Sequence, residues 1–134
     1  FSPDNDMTMK KLRILIVEDE PLISFFLSDL LEEMGHDVCA VTITEQQAII
    51  CARELKPDLM LIDNHLREGS GMGVIATMAV DGFMPHIFMT GDNVRNVKLG
   101  PGTIVLQKPF LDSALVTAID AAMSYGNPLR PDAL

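Results

Sequence analysis

The feature that most constrains this chain is an alternation of short, almost wholly apolar runs with longer amphipathic ones. The run RILIV at positions 13–17 contains three β-branched side chains and ends at three successive acidic residues. Such a run is typical of a buried strand. Pro21 then suits the first turn of a helix, whose apolar residues recur at helical spacing until Gly35 stops it.

The alternation continues through the rest of the chain. Thr44 is the predicted N-cap of a second helix that runs to about Leu55, and Gln47 is its capping-box partner. Further strands are predicted at 37–43, 59–62, 86–89 and 103–106, and further helices at 74–80 and at about 112–125, where Asp112 is the predicted cap.

The predicted strands are apolar throughout rather than at every second residue. Strands of this kind are buried on both faces, as in a parallel sheet that is covered by helices on both sides. Right-handed crossovers then give a doubly wound α/β fold with five parallel strands. The predicted strand order is the flavodoxin-like order 2-1-3-4-5.

Length and composition favour one folded domain. The chain has 134 residues, of which 48% are hydrophobic, so it can bury a core of ordinary size. The predicted domain covers residues 11–126, between a flexible polar segment at 1–10 and a tail at 127–134 that contains two prolines.

Charge and apolar content exclude several classes of function. The formal net charge of −9 repels a phosphate backbone, so direct DNA binding is not expected. No apolar run approaches the roughly 18 residues that are needed to span a membrane. Cys39 and Cys51 form no Cys-x-x-Cys pair and suit a reducing compartment, so a cytoplasmic location is predicted.

Polar side chains follow four of the predicted strands where each strand ends. Glu18 and Asp19 follow the first, Asp63 the third, Thr90 the fourth and Lys108 the fifth. These strands are neighbours in the predicted order, so their ends converge at the switch point of the sheet. Crowded carboxylates favour a hard cation such as Mg²⁺. One such residue alone is more often a helix cap, but all four strand ends together predict phosphoryl transfer onto Asp63.

Four motifs in this order make the chain similar to a known family. They are VEDEP at 17–21, LID at 61–63, MTG at 89–91 and KPF at 108–110. The chain resembles, over about residues 11–125, the receiver domain of bacterial two-component response regulators. The resemblance implies that a histidine kinase or a phosphotransfer protein phosphorylates Asp63. It also implies that Mg²⁺ is held by Glu18, Asp19, Asp63 and the backbone carbonyl of His65.

The resemblance assigns further roles around this site. Lys108 would hold the phosphoryl group, and its peptide bond to Pro109 would be cis. Thr90 would move toward the phosphoryl group and transmit the switch to an unknown downstream protein. His65 and Asp92 would modulate dephosphorylation.

The chain departs from the common pattern of the family at several positions. Val105 occupies the usual aromatic switch position, three residues before Lys108. The interval from Thr90 to Lys108 is about one helical turn shorter than in typical receivers, so the fourth helix is expected to be short or irregular within about 93–99. The motifs partly resemble an alphaproteobacterial single-domain subfamily marked by Phe-Ala-Thr-Gly and Lys-Pro-Phe, although Met89 replaces its Ala.

Several alternatives remain open at the level of the sequence. The chain is interpreted as a single-domain response regulator, or else as a receiver cut from a larger hybrid kinase or transcription factor. Haloacid-dehalogenase-type phosphohydrolases also phosphorylate an Asp at a strand end, but they place a second Asp two positions later, where this chain has His65. The protein is therefore not expected to be an enzyme, beyond self-phosphorylation from small phosphodonors and autodephosphorylation.

The last helix leaves a question about oligomeric state. Between Ser113 and Ser124 its only charged residue is Asp120, and it contains four alanines. A homodimer through this helix and a helix merely packed on the sheet are both compatible with this composition.

Overall fold

The computed structural model describes residues 10–91 and 99–125. In these ranges the strands are β1 (Arg13–Val17), β2 (Asp37–Thr42), β3 (Leu59–Asp63), β4 (His86–Thr90) and β5 (Ile104–Gln107). The helices are α1 (Pro21–Glu33), α2 (Glu45–Leu55), α3 (Gly71–Asp81) and α4 (Asp112–Ser124). All four strand pairings are parallel, in the order β2-β1-β3-β4-β5, so the predicted fold class and strand order are confirmed.

Three predictions fall on parts of the chain that lie outside the described residues. The expected short helix between β4 and β5 falls almost wholly on residues 92–98. The N-terminal segment before residue 10 and the tail after residue 126 are the other two.

The core is divided into two clusters by the sheet itself. Because successive strand residues point to opposite faces, Ile14 and Ile16 of β1 face one cluster, whereas Leu15 and Val17 face the other. The first cluster is completed by α1 and α4, and the second by α2 and α3. Every residue of β3 and of β4 is buried, as expected for central strands that have helices on both faces.

The N-terminus of α2 follows the predicted capping chemistry. The Thr44 hydroxyl accepts a hydrogen bond from the Gln47 backbone N–H at 3.1 Å. The Gln47 side chain reaches back one residue beyond the cap and accepts from the Ile43 N–H at 3.1 Å. Lys56 then ends the helix with a φ of 48°, and its N–H donates to the Ala52 carbonyl.

Two predicted helix starts differ from the structure. The helix α3 begins at Gly71 rather than at 74, because Ser70 caps it by accepting from the Gly73 N–H at 3.0 Å. The prediction that Asp112 caps the last helix was wrong. Leu111 is the N-cap, without a side-chain hydrogen bond, and Asp112 is the first helical residue, where its charge still favours the helix N-terminus.

A small aromatic layer closes the end of the sheet opposite the acidic residues. The Phe83 ring lies 5.1 Å from that of Tyr125 and 5.8 Å from that of His86, centroid to centroid. The His86 ring nitrogens contact the Met84 carbonyl oxygen at 2.6 Å and the Thr103 hydroxyl at 2.7 Å. Gly102, with a φ of 87°, packs so tightly on this layer that a Cβ would overlap the Phe83 and Tyr125 rings. The layer therefore ties the start of β4 to the end of α4.

Candidate functional site

The ends of β1 and β3 bring three carboxylates together. Glu18 and Asp19 follow β1, and Asp63 is the last residue of β3, which pairs with β1. Carboxylate oxygens of these three residues all lie within 4.8 Å of one another. Glu18 is 1% exposed and Asp63 is 5% exposed, so two of the three are nearly removed from water. The cluster lies at the switch point of strand order, where doubly wound sheets bind ligands.

Lys108 brings one positive charge to this cluster from the end of β5. Its Nζ donates to Asp63 Oδ1 at 2.5 Å and to Glu18 Oε1 at 3.5 Å. Burial by itself lowers the pKa of Lys108, but the hydrogen bond and charge of Asp63, together with Glu18, outweigh it and raise the pKa above 10.5. The ammonium therefore stays charged.

The cluster holds three carboxylates against the single ammonium of Lys108, so negative charge is in excess. Burial, and then the nearby charge of Asp63, raise the pKa of Glu18 above its ordinary 4.5, although the Glu20 N–H and Lys108 act in the opposite direction. Ionised Glu18 is thus costly in its surroundings. Three hard oxygen donors with surplus negative charge fit a divalent cation such as Mg²⁺.

The carboxylate of Asp63 is fixed on both of its oxygens. Oδ2 accepts from the His65 N–H at 3.1 Å, while Oδ1 accepts from Lys108. The Asn64 N–H donates to the Met89 carbonyl at 3.0 Å and thereby continues the β3–β4 pairing beyond the strand end. The His65 side chain is exposed, and Asp92, the other residue assigned to dephosphorylation, lies outside the described residues.

The end of β4 is joined to the end of β5 beside the cluster. Thr90 is 1% exposed, and its carbonyl accepts from the Lys108 N–H at 2.8 Å. The Lys108–Pro109 peptide bond is cis. Val105, which occupies the usual aromatic position, lies partly exposed on β5. Thr90 and Lys108 are therefore held in fixed register across neighbouring strands.

Gly71 is a site residue that sequence reasoning missed. Its N–H donates to the Asn64 carbonyl at 3.0 Å, which closes the loop between β3 and α3. A Cβ at this position would overlap the backbone carbonyl of Asp63. The available signal in the sequence was a glycine directly after a capping serine, but its partner could not be read from the sequence.

We expect Glu18→Gln to raise the free energy of unfolding at pH 7 without Mg²⁺, because it removes a buried charge while Lys108 keeps its closer contact with Asp63. The folded-state pKa of Glu18 lies above its unfolded value, so ionised Glu18 costs stability, increasingly as pH rises through the interval above 4.5. The amide removes that charge and can still accept from the Glu20 N–H. Urea unfolding measures the change, with Glu20→Gln as the exposed, charge-matched control. A less stable Glu18→Gln protein would contradict this account of the cluster.

Comparison with known proteins identifies the family. A parallel five-stranded sheet with acidic residues at its switch point first places the chain among the flavodoxin-like α/β domains. The sequence profile of the response regulator receiver domain matches residues 14–120, most of the chain. The chain belongs to the response regulator receiver domain family. Receiver domains are signalling modules of two-component systems rather than classical enzymes, so the haloacid-dehalogenase alternative falls away.

Three relatives illustrate the match. The transcriptional regulatory protein PdtaR of Mycobacterium tuberculosis is 31% identical over 116 residues, which are 84% of this chain and 57% of PdtaR. The phyllosphere-induced regulator PhyR of Methylorubrum extorquens is 33% identical over 121 residues, 87% of this chain and 45% of PhyR. The receiver domain of Erythrobacter litoralis PhyR superposes with a TM-score of 0.78 at 34% identity, covering 89% of this chain and 95% of that domain.

The chain spans about half the length of the curated relatives that it matches. Within residues 10–91 and 99–125, none of the helices has the length and apolar character that crossing a membrane requires.

Proposed function

We propose that this receiver accepts a phosphoryl group on Asp63, from a histidine kinase or a phosphotransfer protein, and then signals to a downstream protein. The observation that supports this most is the contact of Lys108 with Asp63 inside the carboxylate cluster. A nucleophilic carboxylate, an ammonium for a phosphoryl oxygen and ligands for a divalent cation are the parts that phosphoryl transfer requires.

In the proposed step, an Asp63 carboxylate oxygen attacks the phosphorus of a phosphohistidine. The new P–O bond forms as the P–N bond breaks, and the electron pair leaves with the imidazole nitrogen, which takes up a proton. Lys108 exchanges its contact with the carboxylate for one with a phosphoryl oxygen. Glu18, Asp19, Asp63 and the His65 carbonyl would hold Mg²⁺, which neutralises charge on the transferring group when bound.

The surface beside the site supports docking of a protein phosphodonor. The helix α1 begins two residues after Asp19 and exposes Leu22 at 83%, Phe25 at 74% and Phe26 at 55%. Leu111, three residues after Lys108, is exposed at 75%. Large apolar side chains of this kind beside a reactive carboxylate suit a protein partner better than a small molecule.

Acetyl phosphate tests the proposed chemistry without knowledge of the natural kinase. With Mg²⁺ present, intact-mass spectrometry should show the addition of one phosphoryl group, and hydroxylamine should remove it, as expected of an acyl phosphate. A label that survives hydroxylamine would place the modification on another type of side chain.

Mg²⁺ should stabilise the folded protein, because the carboxylate cluster loses its repulsion when a cation binds. The expected gain is about 2.7 kcal/mol at a Mg²⁺ concentration one hundred times Kd. Thermal unfolding at rising Mg²⁺ measures this gain, and Asp19→Ala should remove it. Asp29→Ala, an exposed acid on α1, serves as the control and should keep the full response. A parent protein whose Tm does not rise with Mg²⁺ would contradict the assigned ligands.

A second candidate is favoured by the length of the relatives. PdtaR and PhyR are each about twice as long as the matched region, so this chain can equally act as the receiver segment of a longer response regulator. The sequence of the complete gene distinguishes this from a single-domain regulator. The same phosphoryl chemistry on Asp63, and the same cytoplasmic location, are proposed in either case.

A homodimer through α4 could use only part of this helix, because some of its small residues are buried. Ala118 and Ala122 are buried in the core, so half of the alanines serve packing on the sheet. Association would have to use the exposed face that contains Val116 and Ala121.

A further inference from the structure

Glu45, the first residue of α2, reaches across to the loop that follows Asp63. Its Oε1 accepts a hydrogen bond from the Ser70 N–H at 2.9 Å. Its own N–H donates to the Glu68 carbonyl at 3.0 Å, beside a parallel bridge between Thr44 and Glu68. One residue of a neighbouring helix therefore contacts the loop through both its backbone and its side chain.

Two glycines make room for this side chain. A Cβ at Gly69 would overlap Glu45 Cβ, and a Cβ at Gly73 would overlap the Glu45 carboxylate. For both positions, the three nearest heavy atoms all belong to Glu45. The carboxylate thus lies against the first turn of α3, where negative charge is favoured by the helix dipole.

The loop that Glu45 contacts is the one that shapes the phosphoacceptor. We call residues 64–70 the phosphoacceptor loop. The start of this loop is bound to the phosphoacceptor itself, since the His65 N–H donates to Asp63 Oδ2. A bridge between His65 and Ser70 joins its two sides, and the Ser70 N–H is the group that Glu45 holds. A displacement at Ser70 is therefore transmitted to the backbone of His65 through one pair of residues.

We propose that Glu45 is a positioning residue, which holds the phosphoacceptor loop in the geometry that lets the His65 carbonyl reach Mg²⁺. This inference rests on the proposed function, because it concerns the ligand set assigned to that site. Glu45 touches no reacting atom, and it acts through Ser70 and His65. Supporting groups of this kind orient the atoms that contact a metal, and their loss weakens metal binding even when every ligand remains.

The first test compares Mg²⁺ affinity in Glu45→Ala, Glu45→Gln and the parent. We expect Glu45→Ala to weaken Mg²⁺ binding about tenfold by titration calorimetry, the lower end of the effect of removing a supporting group. Glu45→Gln keeps an oxygen for the Ser70 N–H, so its affinity should stay close to that of the parent. Glu54→Ala removes the same charge from an exposed position on α2 and should leave binding unchanged.

The second test displaces the Glu45 carboxylate by a substitution at another position. In Gly73→Ala the new methyl group takes the space of the carboxylate, while the helical backbone accepts alanine readily. Mg²⁺ binding should weaken as in Glu45→Ala, although the helix propensity of α3 has improved. In the double variant Glu45→Ala/Gly73→Ala the new methyl group meets no carboxylate. Adding Gly73→Ala to Glu45→Ala should therefore cause no further loss of Mg²⁺ affinity. This non-additivity is the signature of one shared contact.

The outcomes separate this inference from the proposed function. A parent protein that neither binds Mg²⁺ nor accepts phosphate from acetyl phosphate overturns both. A parent that does both, alongside Glu45→Ala and Gly73→Ala variants with unchanged Mg²⁺ affinity, overturns the positioning role alone. A lowered Tm with unchanged affinity also overturns the positioning role, because a merely structural contact would affect only stability.

Discussion

Asp63→Asn is expected to abolish labelling by acetyl phosphate completely. The amide is nearly the same size as the carboxylate and can still accept from Lys108, but it offers no anionic oxygen to attack phosphorus. The fold should survive, since Asp63 contributes no apolar packing. Intact-mass spectrometry after incubation with acetyl phosphate and Mg²⁺ measures the loss.

The control for this experiment is Asp112→Asn, which makes the same chemical change at an exposed residue of α4 and should label like the parent. Circular dichroism of each variant verifies that the sheet is intact. Undiminished labelling of Asp63→Asn would show that another carboxylate is the phosphoacceptor. Asp19 would then be the first residue to substitute.

Gly71→Ala should lower the free energy of unfolding by about 1–3 kcal/mol, the usual cost of forcing an extra methyl group into a packed site. The added Cβ overlaps the carbonyl oxygen of Asp63, which is backbone of a central strand and cannot turn aside as a side chain can. Urea denaturation followed by circular dichroism measures the loss. Labelling of Asp63 should fall as well, because relief of the overlap must shift either β3 or α3.

Gly91→Ala is the matched control, since a Cβ there meets no atom within 4 Å among residues 10–91 and 99–125. That change should stay within about 0.5 kcal/mol of the parent, as surface substitutions usually do. Equal stability of Gly71→Ala and Gly91→Ala would show that the start of α3 can move away from Asp63 without cost.

The sheet and the acidic cluster could be predicted because both depend on local pattern. The apolar runs of β1 and β3 are long enough to specify buried parallel strands. The crossover rule then restricts the strand order to a few doubly wound arrangements, and the flavodoxin-like order is one of them. Parallel strands end at one edge, so a polar residue after each run is enough to bring Asp63, Glu18 and Lys108 together. No knowledge of side-chain packing was needed for this step.

Contacts between residues that are distant in the sequence could not be predicted in this way. In the sequence, Glu45 looks like an ordinary acidic residue in the first turn of α2. The Ser70 N–H that it binds lies 25 residues further along the chain. The helix predicted at 74–80 already begins at Gly71, because Ser70 caps it. Asp112 failed as a cap because the backbone enters α4 one residue earlier, at Leu111.

The aromatic layer at the far end of the sheet has an optical consequence. The chain contains one tyrosine and no tryptophan, so fluorescence excited at wavelengths that phenylalanine does not absorb originates from Tyr125 alone. That ring lies against Phe83 and Gly102, at the junction of α4 with the segment that leads into β5. Tyrosine emission from the unlabelled protein therefore reports on a single place, with no energy transfer to an indole or to a second phenol. A spectrometer can follow events at this junction in real time, without a dye or an engineered residue.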